Sequence, residues 1–140
     1  MKTRSSLLVL AAFAAVNMAL GAGPTRKFAT DSQKAECATK NYSLGLSSGN
    51  EGLVQSCIHR IAELKLRMPT TNMLVLQEQL NRLSVSHKSA AVRYKAYLAS
   101  CICADPAWFI QETNIPADDQ AQFFMSAARL LEQKVLGANS

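Results

Sequence analysis

The chain has 140 residues, 15 of them Lys or Arg and 10 Asp or Glu, and its net charge at pH 7 is +5. Hydrophobic residues make up 49% of it and charged residues 18%, a composition that excludes a disordered tail, a collagen-like chain and a polytopic membrane protein. The length allows one modest core, so two domains are not expected.

The N-terminus has the features of a secretory signal peptide over residues 1–22. Lys2 and Arg4 precede an apolar run that begins at Leu7, and small residues follow at Gly21 and Ala22. The stretch from Leu7 to Ala22 counts 16 residues. A helix that crosses a bilayer needs roughly 20, so we favour cleavage over a retained N-terminal anchor. We therefore expect a periplasmic or secreted protein with no transmembrane segment once the leader is removed.

Cleavage would leave 118 residues with a net charge of +3, since Lys2 and Arg4 are lost with the leader. Nucleic-acid-binding domains of this size usually carry more positive charge, so no nucleic-acid partner is expected. We expect residues 23–30 to form a flexible N-terminal segment and residues 31–140 to form a single helical domain.

The mature part shows helical periodicity throughout. No run of six residues alternates apolar with polar, and no Asn-Gly or Asp-Gly hairpin turn occurs, so the fold class is predicted to be all-α. In chain order, the pattern and its capping residues predict the following elements. The first helix covers 31–47 and starts at Asp31, and the second starts after Asn50 and ends before Pro69. The third covers 73–83, and the fourth covers about 88–103 and is capped by Ser86 or Ser89. An aromatic turn follows at 108–110, and the last helix covers 117–136 with Gly137 as its C-terminal cap.

The faces of two helices carry specific expectations. On the second helix, Ser56, His59 and Glu63 are predicted to lie on the solvent side. The fourth helix has two apolar stripes, which predicts burial on two sides, as in an interior layer of stacked helices. One stripe holds Tyr94, Tyr97, Leu98, Cys101 and Ile102, and the other holds Val92, Ala96, Ala99 and Cys103.

An internal repeat aligns the second helix with the fourth at an offset of 38 residues. Val54 then falls on Val92, and Ile58 falls on Ala96. The period is close to the ~40 residues of HEAT-type repeats, in which each unit is a helix, a turn and a second helix.

The segments 45–57 and 61–65 resemble a HEAT-like repeat of small secreted bacterial proteins, and residues 91–98 are similar to the second helix of the next unit. The resemblance implies a short stack of antiparallel helix hairpins, an α-α superhelix, whose surface mediates protein interaction rather than catalysis. An irregular helical bundle is the alternative.

The four cysteines are interpreted mainly as core residues. Cys101 and Cys103 are two residues apart, so on a helix they point in directions about 160° apart and cannot hold one metal ion together. A disulfide between Cys37 and Cys57 across the first helix pair stays a hypothesis, because an oxidising compartment would permit it. A metal or redox role of the cysteines is the weaker alternative.

No constellation of catalytic residues can be assembled from the sequence. His59 and His87 lack a Cys or His three or four residues away, so both are expected to be solvated. Asp118 and Asp119 are expected to cap the last helix, where a carboxylate meets the positive end of the helix dipole. A phosphate-binding loop and a nucleophile elbow are also missing, so we expect a protein that is not an enzyme and that uses neither cofactor nor metal.

Positive charge is concentrated in residues 60–95, which carry seven basic side chains and two acidic ones. This region is a candidate interaction surface, and as its partner we favour an acidic protein over an anionic membrane. An ordinary solvated surface that binds no partner is the alternative, and the charge pattern alone favours it. The basic residues are Arg60, Lys65, Arg67, Arg82, Lys88, Arg93 and Lys95.

These observations lead to one functional prediction and one alternative. The prediction is an exported, non-catalytic helical-repeat module that mediates protein–protein interaction in the cell envelope, with another envelope protein as partner. The alternative is a periplasmic binder of a small or lipidic ligand, held in an apolar cleft near Trp108 that Phe109, Phe123 and Phe124 would line.

Overall fold

The structure, a computed structural model, describes residues 30–112 and 118–139. Within these ranges the chain forms six helices and no strand, which confirms the all-α class. The predicted leader and residues 23–29 lie outside the described residues. None of the described helices is long and apolar enough to cross a membrane. The helices are α1 (Asp31–Leu46), α2 (Glu51–Arg67), α3 (Leu74–Ser86), α4 (Ala90–Ala104), α5 (Pro106–Glu112) and α6 (Gln120–Ala138).

Side-chain caps fix where the helices begin. Asn50 accepts a hydrogen bond from the backbone N–H of Leu53 (3.1 Å), Ser89 accepts one from Val92 N (3.4 Å), and Asp119 accepts from both Ala121 N and Gln122 N. Each of these bonds satisfies a backbone donor that the first turn of a helix leaves unpaired. The predicted caps at Asn50, Ser89 and Asp119 are therefore confirmed.

Five predicted boundaries are wrong. The last helix begins at Gln120 rather than at 117, and the third helix ends at Ser86 rather than at 83. Thr30, rather than Asp31, caps α1, because its hydroxyl accepts from Gln33 N (3.3 Å) while the Asp31 carboxylate pairs with Lys34. Gly137 lies inside α6, which continues to Ala138; no described glycine has the positive φ of a left-handed C-terminal turn. The aromatic turn at 108–110 is part of α5, with Pro106 in the first turn, where a proline costs no hydrogen bond.

Two helix hairpins lie side by side with their corresponding helices in contact. The turn at 47–50 joins α1 to α2 and the turn at 87–89 joins α3 to α4; α1 contacts α3, and α2 contacts α4. Three side-chain hydrogen bonds connect the hairpins: Gln79 Nε2 to Ser43 Oγ (2.8 Å), Ser89 Oγ to Glu51 Oε1 (2.6 Å) and Lys95 Nζ to Gln55 Oε1 (2.6 Å). Each bond joins residues 36 to 40 positions apart, so the two hairpins run in the same direction.

The last two helices cover the other side of the α2–α4 pair. Cys57 of α2 lies against Gly45 of α1, whereas His59 stacks edge-on against Phe123 of α6 with ring centroids 4.7 Å apart. Residues two apart on a helix differ in direction by about 200°, so α1 and α6 contact opposite faces of α2. α5 contacts both α2 and α4, and α6 contacts α4. The helices α2 and α4 thus form a middle layer.

Gly45 is required where α1 approaches α2 closely, because a Cβ atom there would overlap the Sγ atom of Cys57. We expect Gly45→Ala to lower the free energy of unfolding by about 1 kcal/mol, since overpacking costs roughly 1–3 kcal/mol and the helix propensity of alanine returns at most about 1 kcal/mol. In a Cys57→Ala background, which removes the overlapping sulfur, the same substitution should become stabilising. Urea denaturation of the four proteins of this double-mutant cycle measures the reversal; equal effects in both backgrounds would contradict the contact.

Candidate functional site

The flank of α4 that faces away from α2 is open to solvent. Tyr94 is 54% exposed and Tyr97 is 49% exposed, although Leu98 and Ile102 of the same predicted stripe are buried. The prediction that α4 is buried on two sides is therefore wrong for the tyrosines. The reason is geometric: α6 packs against the Leu98 edge of the stripe, and no other described helix covers the tyrosine edge.

An apolar groove runs between α4 and α6 along this open flank. It consists of two adjoining depressions of about 650 Å³ and 290 Å³, which share Tyr94, Ala128 and Glu132 in their linings. Large apolar side chains along it, among them Met125, Val135 and Leu136, are exposed. We call this surface the α4–α6 groove, and its lining residues are Tyr94, Lys95, Tyr97, Leu98, Ala121, Phe124, Met125, Ala128, Arg129, Leu131, Glu132, Val135 and Leu136.

Two polar contacts fix the position of α6 beside α4. The Lys95 ammonium lies 5.7 Å from the centre of the Phe124 ring, and Lys134 Nζ donates to Asp105 Oδ2 (2.5 Å) while it lies 5.3 Å from the centre of the Trp108 ring. The hydrogen bond from Lys134 holds the pKa of Asp105 below its ordinary value. The Lys95–Phe124 and Asp105–Lys134 contacts each join residues 29 positions apart, so α4 and α6 run parallel. One contact lies near the start and the other near the end of the groove, so the two helices that form its walls are joined at both ends.

A second, larger groove of about 920 Å³ lies between α1 and the α2–α3 connection. Nine of its thirteen lining residues are polar or charged, among them Asp31, Glu36 and Lys40, and its exposed apolar side chains are confined to Leu74 and Val75 at one end of α3. It also lies beside Asp31 in the first turn of α1, one residue after the first described residue. The α4–α6 groove is the better candidate for a recognition site because large apolar side chains are exposed along its length.

His59 and Glu63 are buried, each 6% exposed, so the prediction that they face solvent is wrong. α6 packs on this face of α2: His59 contacts the rings of Phe123 and Phe124. The Glu63 carboxylate pairs with Arg60 (2.6 Å) and with Arg67. Burial lowers the pKa of His59; Glu63 raises that pKa in part, and Arg60 and Lys95 lower it further. Ser56 is exposed, as predicted.

The predicted basic surface does not form one open patch. Lys65 is buried and its ammonium donates to the carbonyl of Thr71 (2.8 Å), and Arg60 and Arg67 pair with Glu63. In the same way, Arg93 donates to the carbonyls of His87 and Lys88, and Lys95 donates to Gln55. Four of the seven are exposed, namely Arg60, Arg67, Arg82 and Lys88, and of these Arg82 and Lys88 make no ion pair or side-chain hydrogen bond with a described residue.

The aromatic residues near Trp108 fill the core. Phe109, Phe123 and Phe124 are buried, and the Phe123 and Phe124 rings contact each other edge-on (5.1 Å). Trp108 is partly buried with Lys134 over its ring, and it lines neither the α4–α6 groove nor the groove beside α1. The described residues therefore show packed rings where the sequence suggested a ligand cleft, and only Phe124 also borders the α4–α6 groove.

All four cysteines are free thiols in the structure. Cys57 lies against Gly45, eight residues from Cys37, which is roughly 12 Å along the axis of α1, whereas a disulfide needs Cα atoms within about 7 Å. The structure does not bring Cys37 and Cys57 together. Cys103 is buried, and burial raises the pKa of its thiol to about 11, so at neutral pH it is protonated and packs as a small apolar side chain.

The described residues contain no group of three His, Cys, Asp or Glu side chains that could hold a metal ion. Protein-family models, curated proteins and solved structures were compared with the chain, and none matches it.

Proposed function

We propose that this protein is an exported, non-catalytic helical-repeat module that mediates protein–protein interaction in the cell envelope through the α4–α6 groove. The observation that carries the proposal is the exposed apolar lining of the groove, with Tyr94 and Tyr97 on one wall and Met125, Val135 and Leu136 on the other. Tyrosine and methionine are enriched at protein interfaces because they offer a large contact area. A contiguous exposed patch of this kind is typical of a binding surface.

The HEAT-like part of the proposal is supported by the equivalence of the two hairpins. Val54 and Val92, which the offset of 38 residues aligns, are both fully buried, and so are Ile58 and Ala96. The first helix of one hairpin, α1, contacts the first helix of the other, α3, and the second helices α2 and α4 also contact each other. This is the arrangement of neighbouring units in stacked repeats. In such a stack the next unit would cover the outer flank of the last hairpin. Here that flank carries Tyr94 and Tyr97, so another protein has an apolar surface to bind.

A photo-crosslinking experiment tests this function. A photoreactive phenylalanine derivative is placed at position 97 in the groove and, as a matched control, at position 85 on α3, where Val85 is 82% exposed. We expect crosslinking to a protein from position 97 and none from position 85 in cells that export the chain. Equal crosslinking from both positions, or none from position 97, would contradict the proposal. A small molecule that copurifies in native mass spectrometry, and that Tyr97→Glu removes, would instead favour a ligand-binding role.

A further inference from the structure

The exposed face of α6 carries a stripe with a two-fold symmetric pattern. Met125, Arg129, Glu132 and Leu136 follow one another at spacings of four, three and four residues, so they lie on one face of the helix. All four are exposed and all four line the α4–α6 groove. Arg129 and Glu132 make no ion pair or side-chain hydrogen bond with any described residue. Read in either direction, the stripe is an apolar residue, two opposite charges and an apolar residue.

This pattern is complementary to itself in an antiparallel helix pair. When two copies of α6 are related by a two-fold axis between positions 129 and 132, Arg129 of one copy faces the partner's Glu132, and Glu132 faces the partner's Arg129. The same register places Met125 against the partner's Leu136. Two ion pairs are thus flanked by two apolar contacts, and an isologous interface requires that a surface match itself in this way.

The neighbouring wall of the groove fits the same arrangement. Tyr94 borders the stripe next to Met125 and Glu132, and Tyr97 borders it next to Leu136. A second α6 laid along the stripe would cover both tyrosines, which are the largest exposed apolar side chains of α4. A parallel pair of helices would instead place like charges opposite each other, which destabilises association.

We infer that the partner of the α4–α6 groove is a second copy of this chain, bound through antiparallel pairing of the two α6 helices around Arg129 and Glu132. The inference rests on the proposed function, because it names the protein that the groove binds. It is carried by the charge complementarity of the stripe and by the burial it gives to Tyr94 and Tyr97.

The charged pair allows a test that separates contacts between copies from effects within one chain. Arg129→Glu places two carboxylates opposite each other in both central pairs of the interface, and Glu132→Arg places two cations opposite each other in both pairs. In a mixture of the two variants, however, a mixed dimer has carboxylates at both positions of one chain and cations at both positions of the other, so both facing pairs attract. Within each variant chain positions 129 and 132 carry like charges, and mixing cannot alter an effect that arises there.

The measurement is sedimentation equilibrium. The full chain is expressed with its own N-terminal segment, and the protein is purified with whatever N-terminal processing the cell carries out. We expect the original chain to form a dimer. The dissociation constant should rise about tenfold in each single variant, because two exposed ion pairs become repulsive. In the equimolar mixture of the two variants, it should return close to the original value. Val85→Glu, which adds a charge on α3 outside the groove, should leave the dissociation constant unchanged. Far-UV circular dichroism checks that each variant keeps its helices.

Two results would overturn the inference. One is an original chain that sediments as a monomer at every concentration up to the solubility limit. The other is a mixture that associates no better than its two components. If either occurs while position 97 still crosslinks to a different protein, the inference fails and the proposed function stands. If position 97 crosslinks to no protein, the proposed function fails as well.

Discussion

Phe123→Ala is expected to lower the free energy of unfolding by about 3–5 kcal/mol, the range measured for removal of a buried phenylalanine ring. Phe123 is 1% exposed, and its ring contacts His59 of α2 and Phe124 of α6. The substitution leaves a cavity where α6 joins the middle layer. Since small domains are stable by only about 5–15 kcal/mol, this single change removes a large part of the stability.

Urea denaturation followed by circular dichroism measures the effect, and Met125→Ala is the matched control. Met125 lies two residues further along α6 but is exposed, so its truncation should change the stability of the single chain by no more than about 0.5 kcal/mol, measured below the concentration at which chains associate.

The crosslink from position 97 should disappear in Phe123→Ala, because the groove needs α6 in place. A loss below about 1 kcal/mol would mean that α6 is not packed on α2.

The local parts of the fold could be predicted because their causes lie within a few residues. Asn50, Ser89 and Asp119 cap helices through bonds to backbone groups two or three positions away, and the sequence shows both partners of each bond. The burial of Val54 and Val92 could be predicted for the same reason, since each lies among apolar residues of its own helix at helical spacing. The fold class and the starts of the helices that Asn50, Ser89 and Asp119 cap thus follow from pattern and capping.

The environment of His59 and Glu63 could not be read from α2, because it depends on a helix about sixty residues further along the chain. Their polarity suggested a solvated face, yet Phe123 and Phe124 cover His59. One local signal was available: Arg60 and Arg67 stand three and four residues from Glu63, the spacings at which ion pairs form on a helix. That spacing predicts neutralised charges rather than an open basic surface.

The candidate site illustrates the opposite difficulty. The tyrosines of α4 form part of an apolar stripe, and an apolar stripe in a sequence predicts burial without showing whether the same chain provides the cover. In the structure α6 reaches Leu98 but leaves Tyr94 and Tyr97 half exposed. No described helix covers the tyrosine edge of α4, so an exposed apolar surface looks, in sequence, like a core.

Lowering the pH from 7 to 5 is expected to destabilise the protein through His59. Its ring lies between α2 and α6, 6% exposed, and its Nε2 atom is buried without a hydrogen-bond partner among the described residues. Burial lowers its pKa from the ordinary value of 6.5, which Arg60 and Lys95 reinforce and Glu63 opposes. The remaining neighbours are the uncharged rings of Phe123 and Phe124 on α6.

The direction of the effect follows from proton binding. Well above pH 6.5 the histidine is neutral in both the folded and the unfolded chain, so the stability does not depend on it. As the pH falls below 6.5, the unfolded chain binds a proton and the folded chain does not, so the free energy of unfolding decreases by up to about 1.4 kcal/mol per pH unit. The decrease continues until the pH reaches the lowered pKa of the folded state.

Urea denaturation at intervals between pH 7.5 and 5 measures this decrease, and His59→Phe should abolish it while it keeps an aromatic ring against Phe123 and Phe124. His87→Gln, which removes the other histidine of the chain, should retain the decrease. The range stays above the ordinary pKa of 3.8 for aspartate, so the ion pair of Asp105 with Lys134 does not contribute to the slope. If His59→Phe showed the same slope as the original protein, the ring would have to be reachable by protons in the folded state, and α6 could not be packed over it. The same pH series therefore tests whether the wall of the α4–α6 groove is held in place by the His59 contact.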